Sequence, residues 1–382
     1  MPGLSPDLLV AVLGPRYHSV MKRLAFLGAM NRDLVVDIAG GTLLKQLGID
    51  APALIETPIS DEQAAAGAAI LSGLGAADYL GGSAFNAARI AALLNARGRE
   101  LDLAFFGIAG QVGERAPHME ALSEWGVAGG CVRRSPAPPA TCLAMVEPAG
   151  RTLLTAAGAN AGIASYLRDE SGELARNLAA CDLVHVTSFL DPQSPGLAAD
   201  LLAAARRINP RLLVSLDPGA AWIVPGGEGF ERLLGQADIL HLNNEELAHF
   251  GSDPTAIAAL GGRLHGESWL IVARTHNDVA LHQGRAGPPV ETWRLPESPL
   301  PEMIRDSTGA GDTFCGAFLW HFCTRPDATL DAARQGFALA RAKVGIKGPL
   351  RAEDVGQMLN CYWFCPSRPE RLGNPRAKSR IL

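Results

Sequence analysis

Six short runs dominated by apolar and β-branched residues recur along the chain: RLAFLG (Arg23 to Gly28), LDLAFFGIAG (Leu101 to Gly110), DLVHVTSF (Asp182 to Phe189), LLVSLDPG (Leu212 to Gly219), ADILHLN (Ala237 to Asn243) and SWLIVART (Ser268 to Thr275). Near-continuous apolar runs of this length suit strands covered on both faces, as in a parallel sheet. Between them lie helix-like stretches, among them Ala84 to Asn95, Gly196 to Ile208, Thr255 to His265, Gly311 to Cys323 and Leu330 to Lys347. Strands alternating with helices imply right-handed βαβ crossovers and predict a doubly wound α/β core with a mostly parallel sheet. Ligands of such sheets sit outside the carboxyl ends of the strands, so the residues that close each run are the first candidates for chemistry.

Two segments break the alternation. Leu34 to Thr57 and Ala140 to Ala157 read as short extended pieces with turns, Pro148-Ala-Gly150 forming a hairpin turn in the second. They predict a small β lid over the cleft, at about residues 34–57 and 140–157. Residues 1–21 are expected to form an N-terminal extension and residues 22–361 the α/β domain. Residues 362–382, Pro-rich and basic, are expected to form a flexible tail.

Composition excludes more than it selects. A formal net charge of −5 lacks the basic excess of a nucleic-acid protein. The first residues carry no basic segment ahead of a short apolar run, and no apolar stretch is long enough to span a bilayer, so no membrane partner and a cytoplasmic location are expected. Seven scattered cysteines, an odd number without a C-x-x-C pair, argue against a disulfide framework. Cys361 and Cys365 lack the second ligand pair that a zinc site needs. No G-x-x-x-x-G-K-[ST], Rossmann G-x-G-x-x-G or H-E-x-x-H occurs.

The most informative string is Asp306-Ser-Thr-Gly-Ala-Gly-Asp-Thr-Phe314, followed by an apolar helical run. Gly309, Ala310 and Gly311 let the backbone approach a phosphate, with their N–H groups at a helix start where donors and dipole favour an anion. Asp312 in the first helical turn is repelled by phosphate, and its useful role there is to accept a proton from an attacking hydroxyl. Gly81-Gly-Ser-Ala-Phe-Asn86 opens another helix, with backbone donors and an amide suited to a polyol. Gly28-Ala-Met-Asn31-Arg-Asp33 follows the first strand, where a carboxylate can orient paired hydroxyls. Asn243-Asn-Glu-Glu246 closes a further strand and reads either as a helix cap or as a hydrated Mg²⁺ site, and both readings can hold together.

Together these segments, spread over roughly Arg23 to Pro349, resemble the PfkB (ribokinase-like) carbohydrate kinase family. The resemblance implies a ribokinase-like fold and transfer of the γ-phosphoryl group of ATP, with Mg²⁺, to a hydroxyl of a sugar or related polyol. It makes Asp312 the general base and the Gly309, Ala310 and Gly311 amides the anion hole. Asn31, Asp33, Gly81, Gly82 and Asn86 become acceptor contacts. Asn243, Glu246, Thr308, Gly309, Gly311 and Arg274 become contacts of the nucleotide side, with Mg²⁺ near Glu246 through water. Asp306 and its neighbours match the family's monovalent-cation site, so K⁺ activation is expected. Gly158-Ala-Asn160 resembles a loop near the substrate, and Asp217-Pro-Gly219 a strand-end turn. The partner is a small-molecule sugar or nucleoside, and lid-mediated homodimers are an expectation by analogy.

Two departures stand out. Ala273-Arg-Thr-His-Asn-Asp-Val279 lacks the glycines of the family's Thr-x-Gly-x-x-Gly stretch, and Gly113-Glu-Arg115 has Arg where the family has Asp. The Gly-Gly-Ser turn leaves a nucleoside kinase as an alternative, with Phe85 either stacking on a base or facing the core. A catalytically silent sensor of sugars or nucleotides is a further alternative.

Overall fold

All six apolar runs form strands, and they assemble because each buries both faces. The computed structural model describes residues 22–147, 150–266, 268–275, 278–285, 291–294, 304–362 and 370–371. The expected extension 1–21 and most of the expected tail 362–382 lie outside the described residues.

A ten-stranded sheet has the order β15 (Glu370–Arg371), β14 (Glu291–Arg294), β13 (Val279–Arg285), β12 (Ser268–Arg274), β11 (Ile239–Asn243), β10 (Leu213–Asp217), β9 (Leu183–Thr187), β1 (Arg23–Leu27), β5 (Asp102–Ala109) and β6 (Val127–Arg134). Every pairing from β6 across to β12 is parallel, and β13 to β15 add antiparallel strands at one edge. Alternation divides the core in two. Ala25, Leu27, Val184, Val186, Val214 and Leu216 pack with helices Ile163–Asp169, Ser171–Ala179 and Ser194–Ile208. Leu24, Phe26, Leu183 and Leu213 pack on the opposite face with helices Ser83–Asn95, Ala310–Thr324 and Thr329–Lys343. Two covered faces are what the unbroken apolar runs require.

A second, five-stranded sheet has the order β3 (Glu56–Ile59), β8 (Gly150–Ala156), β7 (Ala140–Glu147), β2 (Asn31–Val36) and β4 (Ala77–Gly81). Its outer face buries Leu34, Val36, Leu143, Met145 and Leu154 under Leu43, Leu44 and Leu71. Those three residues belong to helices Gly40–Gln46 and Asp61–Gly73. The segment read as extended from Leu34 to Thr57 therefore differs: Gly40–Gln46 is a helix, and the sheet instead recruits Ala77–Gly81. The reason is tertiary. Leu43 and Leu44 cover the outer face of the sheet, a need that local propensity does not reveal. On the inner face, Asp33, Val35 and Tyr79 share a cavity with Asn86, Thr308 and Gly309.

Helices Ser83–Asn95 and Ala310–Thr324 run against each other at very short range. A Cβ on Gly316 would overlap the Ala87 carbonyl oxygen and lie 2.9 Å from Ile90 Cβ. Only glycine fits, because neither helix backbone can retreat without disturbing the sheet beneath it. Gly316→Val is expected to cost about 1–3 kcal/mol or more through overpacking, read as a lowered midpoint in chemical denaturation. An unchanged midpoint would contradict this packing.

Candidate active site

The carboxyl ends of the parallel strands deliver the predicted segments to one cleft. Gly28 to Asn31 leaves β1, Asp217 ends β10, Asn243 ends β11 and Arg274 ends β12, with Asn243 and Arg274 directly paired. The glycine turn enters from helix Ala310–Thr324. Gly309 caps it in the left-handed conformation (φ 74°), which a side chain would strain.

Asp312 is half-buried in the first turn of that helix, and its Oδ2 accepts a hydrogen bond from Asn86 Nδ2 at 3.0 Å. Asn86 stands in the first turn of helix Ser83–Asn95, whose cap, Gly82, has φ 104°. A Cβ on Gly82 would overlap the Ala29 carbonyl oxygen, and one on Gly81 would overlap the Asp33 carboxylate. Gly81 also pairs with Asn31 across β2 and β4. Asn31 Oδ1 accepts from Asn160 Nδ2 at 3.2 Å, while its backbone oxygen accepts from His118 Nε2 at 2.9 Å. Asn31, Asp33, Gly81, Gly82 and Asn86 are therefore brought together beside Asp312, with Asn160 adjoining. Phe85 is fully buried against Phe105, His118 and Trp125, so it faces the core.

The electrostatics favour proton uptake. Burial raises the Asp33 carboxyl to about 7, with the Asp312 charge adding to the rise and Arg89 and Arg151 opposing it. Asp312 is also raised, chiefly by burial, against the lowering effect of the Asn86 hydrogen bond. Arg89, which the motifs did not single out, is buried; desolvation lowers it to about 10, while Asp33 and Asp312 favour its charge. Its Nη2 donates to Leu80 O at 2.6 Å, and its guanidinium lies 5.0 Å from the Trp125 ring centroid.

On the other side of the turn, Arg274 bonds Asp217 Oδ2 at 2.9 Å, Gly311 O at 3.0 Å and Cys315 Sγ at 3.1 Å. Its side chain is 12% exposed, so it points into the protein and fastens the helix start rather than reaching outward. Burial works against its charge, but Cys315, Asp217 and Glu246 outweigh that and raise its pKa. Asn243 and Glu246 form a reciprocal capping box at 2.8 Å in each direction. Burial, then repulsion from Asp217, raises Glu246 to about 7. The Ala310 amide donates to Ser307 O at 3.2 Å, so it is not an uncommitted donor of the turn; Gly311 is exposed at the helix start. The Thr308 amide donates to Asp306 Oδ1 at 2.8 Å. The Asp306 carboxylate, expected to hold a monovalent cation, instead bonds the Lys343 ammonium at 2.9 Å. Arg115 sits on the surface, paired with Glu120.

Among the described residues no cluster of three or more His, Cys, Asp or Glu side chains could hold a metal, and no helix is long and apolar enough to cross a membrane. Glu246, the residue expected to act on Mg²⁺ through water, already accepts from the Asn243 backbone amide through Oε2, and Mg²⁺, which keeps several waters, asks for few direct carboxylates.

A phosphotransferase with an alcohol acceptor is the class that this fold and glycine turn define. The family model described as "pfkB family carbohydrate kinase" matches residues 74–354, and the chain belongs to that family. None of the curated proteins matches the chain. Among solved structures, adenosine kinase from Sinorhizobium meliloti is similar in fold at 18% identity and a TM-score of 0.69, covering 90% of this chain and 99% of its own. Anopheles gambiae adenosine kinase in complex with P1,P4-di(adenosine-5) tetraphosphate shares 21% identity (TM-score 0.67; 85% and 96% covered). Ribokinase from Giardia lamblia shares 20% (TM-score 0.63; 88% and 99% covered).

The raised Asp33 carboxyl has a stability consequence. The unfolded chain ionises this group near its reference value of 3.8, the folded chain only near about 7. Between those values the folded state holds more protons, so stability falls as pH rises through the window. Asp33→Asn removes that penalty. Its Tm advantage over wild type is expected to grow from about pH 5 to about pH 8; an advantage that stays constant across that range would contradict the assignment.

Proposed function

We propose that the protein transfers the γ-phosphoryl group of ATP to a hydroxyl of a sugar or related polyol, with Asp312 as general base. The observation that carries this reading is the Asn86–Asp312 hydrogen bond, which joins the acceptor motif to the phosphate turn across 226 positions of sequence. The acceptor would lie against Asn31, Asp33, Asn86 and the Gly81-Gly82 backbone, its hydroxyl next to the Asp312 carboxylate. As that oxygen bonds to the γ-phosphorus, its proton passes to Asp312, the bond to the β-phosphate oxygen breaks, and ADP leaves. The Asn86 amide holds one Asp312 oxygen, which leaves the other to receive the proton. The Gly309 and Gly311 amides at the helix start would face the transferred phosphoryl group, and Arg274 fixes that start through the Gly311 carbonyl. Thr308 flanks the phosphates. Mg²⁺, when bound near Asn243 and Glu246, neutralises phosphate charge. Positioning and preorganised charge do most of the work in such transfers.

A second reading, a nucleoside acceptor, has one specific observation in its favour. The inner face of the small sheet carries Val35, Cys142 and Ala144, all buried, with Tyr79 and Leu153 against them. This apolar wall beside Asp33 suits a flat heterocycle more than a bare polyol, and the adenosine kinases similar in fold act in the same direction.

Asp312→Asn is expected to lower kcat by at least ~10²-fold, the usual scale for loss of a general base, with acceptor KM little changed. ATP consumption measured across a panel of sugars and nucleosides supplies both the acceptor and the wild-type rate. Near-normal turnover by the variant removes Asp312 from the mechanism, and turnover on any acceptor removes the silent-sensor alternative.

A further inference from the structure

The loop that feeds the glycine turn is pinned by a buried ammonium. Lys343, the last residue of helix Thr329–Lys343, is 2% exposed at its side chain, and its partner Asp306 is 5% exposed. The three N–H donors of Lys343 Nζ meet three oxygens: Asp306 Oδ2 at 2.9 Å, Asp306 O at 2.9 Å and Ile346 O at 3.3 Å. Asp306 is committed on both sides, since Oδ2 also accepts from Gly348 N at 2.9 Å and Oδ1 from Thr308 N at 2.8 Å. The same loop is bound by its backbone, with Arg305 N and Asp306 N both donating to Val344 O.

A carboxylate with two carbonyls is a donor set for a weakly hydrated monovalent cation, and an ammonium is a point charge of similar size. The residues present therefore do not fit a free K⁺ at Asp306, because the protein's own cation already holds these oxygens. We propose that Lys343 is a tethered monovalent cation that sets the position of the phosphate turn, so that the protein needs no K⁺ from solution. Asp306 leads directly through Thr308 into Gly309, so the charge that fixes Asp306 also fixes where Gly309 and Asp312 stand. Lys343 is a positioning residue in this account, and the account rests on the reading of residues 306–312 as that turn.

Two measurements test it, each in K⁺, NH₄⁺ and tetramethylammonium salts at constant ionic strength. For wild type, both Tm and kcat should be the same in the three salts, within about twofold for kcat. Stimulation of wild type by K⁺ of about tenfold or more would overturn the proposal. Lys343→Ala opens the oxygen cage while leaving Asp306 in place. Its Tm should fall, then recover in K⁺ or NH₄⁺ but not in tetramethylammonium, because a ligand held only by the folded state stabilises it; kcat should recover in parallel, with KM for the acceptor little changed. A variant whose Tm responds equally to all three salts contradicts the proposal. Should Lys343→Ala fail to fold in every salt, the wild-type measurement decides alone. Recovery of Tm by K⁺ in a protein that turns over no acceptor would uphold the cage and sink the kinase reading, which keeps the two failures apart.

Discussion

The close approach of two helix starts is the constraint on which the rest depends. Gly316 lets helix Ala310–Thr324 lie directly on the Ala87 carbonyl of helix Ser83–Asn95. At that separation Asn86 and Asp312, each in the first turn of its helix, face each other within hydrogen-bond distance. Both turns that precede these helices need a backbone with positive φ, at Gly82 and Gly309. The turns before Asn86 and Asp312 are thus fixed by backbone contact before any side chain chooses a rotamer, which is how a site is held to sub-ångström tolerance.

Around that contact the protein spends buried charge on geometry. Arg274 is held by Asp217 and in turn holds the Gly311 carbonyl. Lys343 holds Asp306, and Asp306 the Thr308 amide. Arg89 is sealed between Trp125 and the Leu80 carbonyl while its charge offsets Asp33 and Asp312. Buried ion pairs seldom add much net stability, yet removing one partner typically costs about 3–5 kcal/mol, so each resists displacement. Two of these anchors act on the helix start and the loop before it, and the third balances the Asp33 and Asp312 carboxylates. A preorganised site of this kind has little reorganisation left to do when the phosphoryl group moves.

Much of this was legible in the sequence where one physical demand dominated. The six apolar runs became strands because burial on both faces leaves no alternative composition. The strings around Gly81, Gly309 and Asp312 were legible because positive φ and close approach restrict the residue choice to glycine. Less was legible where a segment answers to a distant partner. Gly40–Gln46 is a helix because it roofs the small sheet, and VAGGCVRR at Val127–Arg134 is an edge strand despite two glycines. Lys343 reads locally as a basic residue favouring a helix C-terminus, and nothing nearby in sequence points to Asp306, 37 positions away. Arg274 reads from sequence as a contact of the nucleotide side, in a segment that lacks the expected glycines; its inward ion pair needs Asp217, from another strand. Arg89 and His118 carry no motif at all. Their signal, a charged or polar residue among apolar helix neighbours, is as common in ordinary cores as beside active sites.

The central claim is that Asp312 and the glycine turn face one acceptor in one cleft. A crystal structure of the complex with an acceptor and a non-hydrolysable ATP analogue tests it most directly. The account predicts the acceptor hydroxyl within hydrogen-bond reach of the Asp312 carboxylate, about 2.6–3.2 Å, with the γ-phosphate against the Gly309 to Gly311 backbone and Asn31, Asp33 and Asn86 on the acceptor's other hydroxyls. An acceptor bound elsewhere, or a γ-phosphate remote from the turn while Asp312 keeps only Asn86 for company, would contradict it.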